Sequence, residues 1–87
     1  MPAPAIVVYV RAWCPYCESA RNLLTRKGAP FVQIDIDEQP EKGTEMIRRA
    51  GRRTVPQIFI GERHVGGSDD LYALEAAGDL DALLQGH

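Results

Sequence analysis

With only two cysteines in 87 residues, the chain lacks the multi-bridge framework that holds small secreted scaffolds together. It also lacks an excess of either charge: ten Lys and Arg stand against twelve Asp and Glu, for a formal charge of −2. That balance argues against a nucleic-acid binder held by a broad basic surface, the local exception being Arg48, Arg49, Arg52 and Arg53. No apolar run approaches the length of a bilayer span. The opening segment MPAPAIVVYV has no basic residue ahead of its apolar stretch, which breaks at Arg11, and it reads as a strand rather than a signal peptide or membrane anchor. A cytoplasmic location with no membrane partner is the resulting expectation. Repeats, low-complexity tracts and linker-like stretches are absent as well, so residues 1–87 are expected to form one domain. A chain this short buries about 60% to 65% of its unfolded surface, which excludes a deep cleft between lobes; any site is shallow and built from loops.

Ile6 to Val10 is a β-branched apolar run suited to a strand buried on both faces. Pro15 can open a helix at its first position, with Ala20, Leu23 and Leu24 on the inner face and Gly28 as its stop. Phe31, Val32, Ile34 and Ile36 suggest a second strand. Pro40 and Glu41 open an amphipathic helix whose inner residues are Met46, Ile47 and Ala50, ending at Gly51, with the arginine group as its solvated face and last turn. Gln57 to Ile60 and Arg63 to Val65 flank Gly61-Glu62, a pattern for a two-residue hairpin. Ser68 is expected to cap a third helix carrying Leu71 and Leu74, followed after Gly78 by a turn presenting Leu80, Leu83 and Leu84. The order is βαβαββα with a short helical tail. Strands joined through a helix run parallel and the hairpin adds antiparallel strands, giving an α/β fold with a mixed sheet and helices on both faces.

What is present is concentrated in Cys14-Pro15-Tyr16-Cys17, where the first strand gives way to the first helix. The nucleophile in disulfide exchange is a thiolate. Helix N-terminal N–H groups favour that anion and lower a thiol pKa from about 8.5 toward about 3.5 to 7.5. Cys14 receives that field, and Cys17, one turn inside, can attack a mixed disulfide formed at Cys14. Half of a zinc site is one alternative, but there is no second Cys pair and His64 and His87 lack finger spacing, so no metal is expected. Two inert buried cysteines are another, for which a helix mouth is a poor position. Arg11, three residues before Cys14, suits stabilising the thiolate or holding a substrate carboxylate, and equally an ordinary solvated arginine. Trp13 and Tyr16 suit an aromatic rim for a peptide-like substrate; partial core burial is the other reading of Trp13. His64 is given no role.

Two further segments can complete a site. Thr54-Val55-Pro56 precedes a strand, and a cis Val55-Pro56 bond would turn the Val55 backbone outward to pair with an extended peptide; a trans proline starting an edge strand is the alternative. Gly66-Gly67-Ser68-Asp69-Asp70 joins two glycines to a helix N-terminus, where converging N–H groups favour a free α-carboxylate and Asp69 or Asp70 can take the neighbouring ammonium. Plain helix capping by Ser68 is the alternative.

Together these residues resemble the glutaredoxin family, in its dithiol class and its small bacterial glutaredoxin 3 type, over nearly the whole chain. Cys14-Pro15-Tyr16-Cys17 is similar to the dithiol signature, GRRTVPQIFI (residues 51–60) to the segment with the cis-proline, and GGSDDLYAL (residues 66–74) to the glutathione-binding turn. The resemblance implies a thioredoxin fold with a four-stranded mixed sheet. It also implies an enzyme, a glutathione-disulfide oxidoreductase that reduces protein disulfides and protein–glutathione mixed disulfides. By that resemblance Cys14 is the nucleophile and Cys17 the resolving thiol. Arg11 faces the thiolate and the glycine carboxylate of glutathione, and Tyr16 lines the groove. Thr54, Val55 and Pro56 hold the cysteinyl part, and Gly67, Ser68, Asp69 and Asp70 receive the γ-glutamyl end. No tightly bound cofactor is implied: glutathione is the reducing co-substrate, the glutathione reductase system an indirect partner, and a monomer is expected. The sequence departs from the family at Trp13, where a small or polar residue is usual, at Ser68, where many relatives have cysteine, and at Gly43, where a polar or basic residue is common. Trp13-Cys14 raises the alternative of a thioredoxin-like redoxin reduced by a flavoprotein reductase, and a third reading is an iron–sulfur cluster held between two chains through Cys14 and glutathione.

Overall fold

The computed structural model describes residues 4–86; the first three residues of the opening segment and His87, weighed above as a zinc ligand with His64, lie outside them. The apolar run becomes β1 (Ile6–Val10), and Pro15 opens α1 (Pro15–Arg26). Then come β2 (Val32–Asp35), α2 (Pro40–Ala50), the hairpin strands β3 (Gln57–Ile60) and β4 (Arg63–Gly66), α3 (Ser68–Ala77) and the short α4 (Leu80–Leu84). The sheet order is β2-β1-β3-β4. β1 pairs parallel with β2 and antiparallel with β3, and β3 pairs antiparallel with β4, so the sheet is mixed as expected. No helix among the described residues is long and apolar enough to cross a membrane.

Alternation along β1 divides the core between two faces. Ile6, Val8 and Val10 meet Cys17, Ala20, Leu23 and Leu24 of α1, Leu71 of α3 and Leu80 of α4. Tyr9 meets Ile36, Phe59 and Met46 of α2 on the other face. The second cluster is small, and this explains a departure: Ile47, expected on the inner face of α2, is 40% exposed, and Met46 is the helix's buried residue. Adjacent helix positions are about 100° apart, so a narrow contact reaches one and leaves the next in solvent. The arginine group also divides. Arg49 lies 4.0 Å above the Phe59 ring and donates to the Tyr9 hydroxyl at 2.8 Å, which itself donates to Glu45 at 2.8 Å.

The cap of α3 lies one residue earlier than expected. Gly67 is the N-cap, and the carboxylate of Asp70 reaches back to accept its N–H at 2.9 Å, leaving Ser68 as a buried first helical residue. The Tyr72 hydroxyl donates to the Ser19 carbonyl at 2.9 Å and ties α3 to α1, bringing both helix N-termini to one edge of the molecule.

Candidate active site

Cys14 is the N-cap of α1, with extended backbone (φ −102°, ψ 111°) and Pro15 as the first helical residue. Its thiol is half-buried and donates a long 3.9 Å hydrogen bond to the Val55 carbonyl. Burial pushes the Cys14 thiol up, but the N–H of Cys17, the Cys17 thiol, the N–H of Tyr16 and the Arg21 guanidinium together outweigh it, so its pKa lies below the ordinary thiol value. Cys17 behaves in the opposite way. It is fully buried, 0% exposed, against the expectation for a helix mouth, because it shares the inward stripe of Ala20, Leu23 and Leu24 at helical spacing. Burial and the neighbouring Cys14 push its pKa up to about 11, although the backbone N–H of Arg11 favours its anion. Both thiols are free.

This asymmetry makes a direct prediction. Alkylation by iodoacetamide at neutral pH, followed by peptide mapping, should label Cys14 and leave Cys17 unmodified in the native protein. A depressed pKa keeps the thiolate populated to lower pH, so the Cys14 rate should rise and level off below the range of an ordinary thiol, while Cys17 joins only as the pH nears about 11. Equal labelling of the two cysteines at neutral pH would contradict the asymmetry.

The cation beside the thiols is Arg21, four residues after Cys17 and seven after Cys14, a helical spacing that signals a shared side. It lines a depression with Trp13, Pro15 and Glu18 on one flank of Cys14. The Arg11 guanidinium is instead paired with Asp37 at 3.4 Å, in a second depression that includes Gly43 and Arg53. Lys42 is paired with Glu45 at 3.6 Å. Trp13 is 99% exposed and has a positive φ of 62°, which few non-glycine residues adopt, so the core reading of this residue does not hold. Tyr16 is 68% exposed.

The other flank of Cys14 is a shallow groove of about 430 Å³ lined by Tyr16, Arg52, Thr54, Val55, Pro56, Gly67, Ser68 and Asp69. The Val55-Pro56 bond is cis. Three separated segments thus converge beside one thiol. Arg52, read from the sequence as part of a solvated helix end, lines this groove and binds Asp70 at 3.3 Å. The N–H of Gly67 and then Arg52 hold the Asp70 carboxyl below the usual carboxylate range, although burial opposes them. A larger cavity of about 510 Å³, between Pro4, Lys27, Phe31 and Leu84, contains neither cysteine. Among the described residues no three His, Cys, Asp or Glu side chains gather as a metal site.

Comparison with known proteins agrees with this geometry. The glutaredoxin family model matches residues 6–65. A glutaredoxin of Pseudomonas aeruginosa is 60% identical over 81 residues, covering 93% of this chain and 96% of that protein. Glutaredoxin 3 of Escherichia coli is 52% identical over 80 residues, covering 92% and 96%. The solution structure of glutaredoxin from Brucella melitensis superposes with a TM-score of 0.84 at 55% identity, covering 95% of this chain and 90% of that one. A buckwheat glutaredoxin–glutathione complex superposes with a TM-score of 0.85 at 30% identity, covering 93% and 76%. The four-stranded sheet and its helices are therefore the thioredoxin fold that the motifs imply. A dithiol at a helix mouth, on this fold and in this sequence company, places the chain in the glutaredoxin family of redox oxidoreductases.

Proposed function

We propose that the protein is a glutathione-dependent dithiol–disulfide oxidoreductase that reduces protein disulfides and protein–glutathione mixed disulfides. The observation that carries this reading is that the nucleophile and the groove share a wall: the Cys14 thiol hydrogen-bonds the Val55 carbonyl, and Val55 lines the groove. A tripeptide lying in that groove would present its sulfur to Cys14. In this reading Tyr16 packs against it, Thr54, Val55 and Pro56 flank its cysteinyl part, and Gly67, Ser68 and Asp69 receive the γ-glutamyl end. Asp70, already engaged with Gly67 and Arg52, holds the turn in shape. Arg11, beside Gly43, is the cation for the glycine carboxylate.

The Cys14 thiolate attacks one sulfur of a target disulfide; that S–S bond breaks, and the other target sulfur takes the bond pair and a proton. Cys17 gives up its proton and attacks the sulfur of Cys14, expelling the second target thiol, so the target gains two electrons and the protein becomes the disulfide. Two glutathione thiols then restore the dithiol and become glutathione disulfide. With a glutathionylated protein, Cys14 attacks the glutathione sulfur and a second glutathione resolves the adduct. The protein acts as a single-domain monomer in the cytoplasm, where such thiol chemistry has its reductant.

The test is reduction of a low-molecular-weight glutathione mixed disulfide, with NADPH oxidation followed through glutathione reductase and, in parallel, through thioredoxin reductase. Turnover is expected with the first system. Turnover with only the second would reject glutathione dependence.

A further inference from the structure

Gln57, the first residue of β3, is a polar side chain with no exposed surface, directly after Pro56. Both N–H donors of its amide are spent on one residue: Nε2 donates to the Thr54 carbonyl at 2.9 Å and to the Thr54 Oγ1 at 3.1 Å. That orientation points Oε1 the other way, where His64 Nε2 lies 2.6 Å off. An amide oxygen only accepts, so the His64 proton is on Nε2. The ring is held in turn by Phe59, centroids 4.9 Å apart and tilted by 31°. Burial, then Arg52 and Arg49, keep its pKa below the ordinary histidine value, against Asp70, which acts upward. The chain runs from His64 in β4 through the Gln57 amide, whose oxygen and nitrogen are both engaged, and its last member, Thr54, is exposed and lines the groove. Thr54 precedes the strand and has no ladder partner there; the Gln57 amide takes that place.

We propose that Gln57, oriented by His64, is a positioning residue for glutathione selectivity: it clamps Thr54 and thereby sets the Thr54–Val55 wall of the groove, without touching the reacting sulfurs. This rests on the glutathione reading above. The clamp acts on recognition of the tripeptide; the groups that favour the Cys14 thiolate, the N–H groups of Tyr16 and Cys17 with the Cys17 thiol and Arg21, all belong to α1, and the clamp reaches Cys14 only through the long contact with the Val55 carbonyl.

The experiment compares second-order rates of one peptide carrying either a glutathione or a cysteamine mixed disulfide, since only the first can use the groove. The wild-type protein should prefer the glutathione adduct, and a ratio near one overturns the glutathione reading and the proposal together. In Gln57→Met the preference should fall about tenfold, the cost of two hydrogen bonds, because the glutathione rate drops far more than the cysteamine rate. His64 is half-exposed, so its variants keep the test valid if Gln57→Met does not fold. His64→Leu should lower the preference about fivefold, and His64→Gln, which retains a donor toward Gln57, should restore most of it. Equal loss of both rates, or a preference unchanged in His64→Leu, overturns the proposal with the glutathione reading intact.

Discussion

Replacing Cys14 by serine is expected to reduce turnover of every disulfide substrate to background, a loss on the order of 10⁴ or more, the scale seen when an enzyme loses its nucleophile. The serine hydroxyl would remain protonated in the field that stabilises a thiolate, so the position would keep its shape and lose its reactivity. Cys17→Ser is expected to separate the two half-reactions. It should retain most of the reduction of glutathione mixed disulfides, where a second glutathione resolves the adduct, and lose reduction of protein disulfides, which needs an internal attacking thiol. The two activities should be measured on the same preparations. Equal loss of both in Cys17→Ser would sink the division of roles; retained activity in Cys14→Ser would sink the assignment of the nucleophile.

The second large effect is expected at Gly66. Its φ of 118° lies where side-chain-bearing residues are strained, and an added Cβ would run into the carboxylate of Asp70. That carboxylate holds the N–H of Gly67 at 2.9 Å and Arg52 at 3.3 Å, so it has little freedom to withdraw. Gly66→Ala should therefore cost about 1 to 3 kcal/mol in backbone strain and about 1 kcal/mol in lost capping. For a domain of this size that is a drop in Tm on the order of 15 °C, readable by thermal denaturation followed by circular dichroism. Adding Asp70→Ala should bring less than its own separate penalty, because the clash and the cap involve the same carboxylate. A Gly66→Ala protein that melts with the wild type, or strictly additive penalties, would refute this account of the turn.

These two sites differ in how far they could be read from residue order. Cys14-Pro15-Tyr16-Cys17 is local: a proline that can start a helix and a cysteine just before it suffice to place a thiol at a helix mouth. The strands and helices were legible for the same reason, since Ile6–Val10, the Gly61-Glu62 turn and the stripe Ala20, Leu23, Leu24 declare themselves within short windows. What escaped depends on which face of an element meets which neighbour. Burial of Cys17 was itself legible, since its i, i+3 relation to Ala20 sets it on the inward stripe of the helix. Arg21 was legible by the same count. Arg52 was not, because its partner Asp70 lies 18 residues along the chain. The Asp70–Gly67 cap and the Gln57–Thr54 contact join residues only three apart, and His64 lies seven from Gln57, but each depends on side-chain directions that exist only once the hairpin is folded against the loop.

In the proposed cycle, burial of Cys17 would also set the regiochemistry of the return reaction. In the oxidised pair an incoming thiolate has two sulfurs to choose between. Leaving-group acidity favours attack on Cys17, because Cys14, the more acidic thiol, would depart faster. Steric access decides the other way: Cys17 presents no surface, so attack is confined to Cys14 and the poorer leaving group must go. It departs into a site where the Arg11 backbone N–H can meet its charge until a proton arrives. On the proposed mechanism, packing against one helix stripe would make the same sulfur the port of entry for reducing equivalents and the port of exit, giving up some speed in recharging for a single defined route.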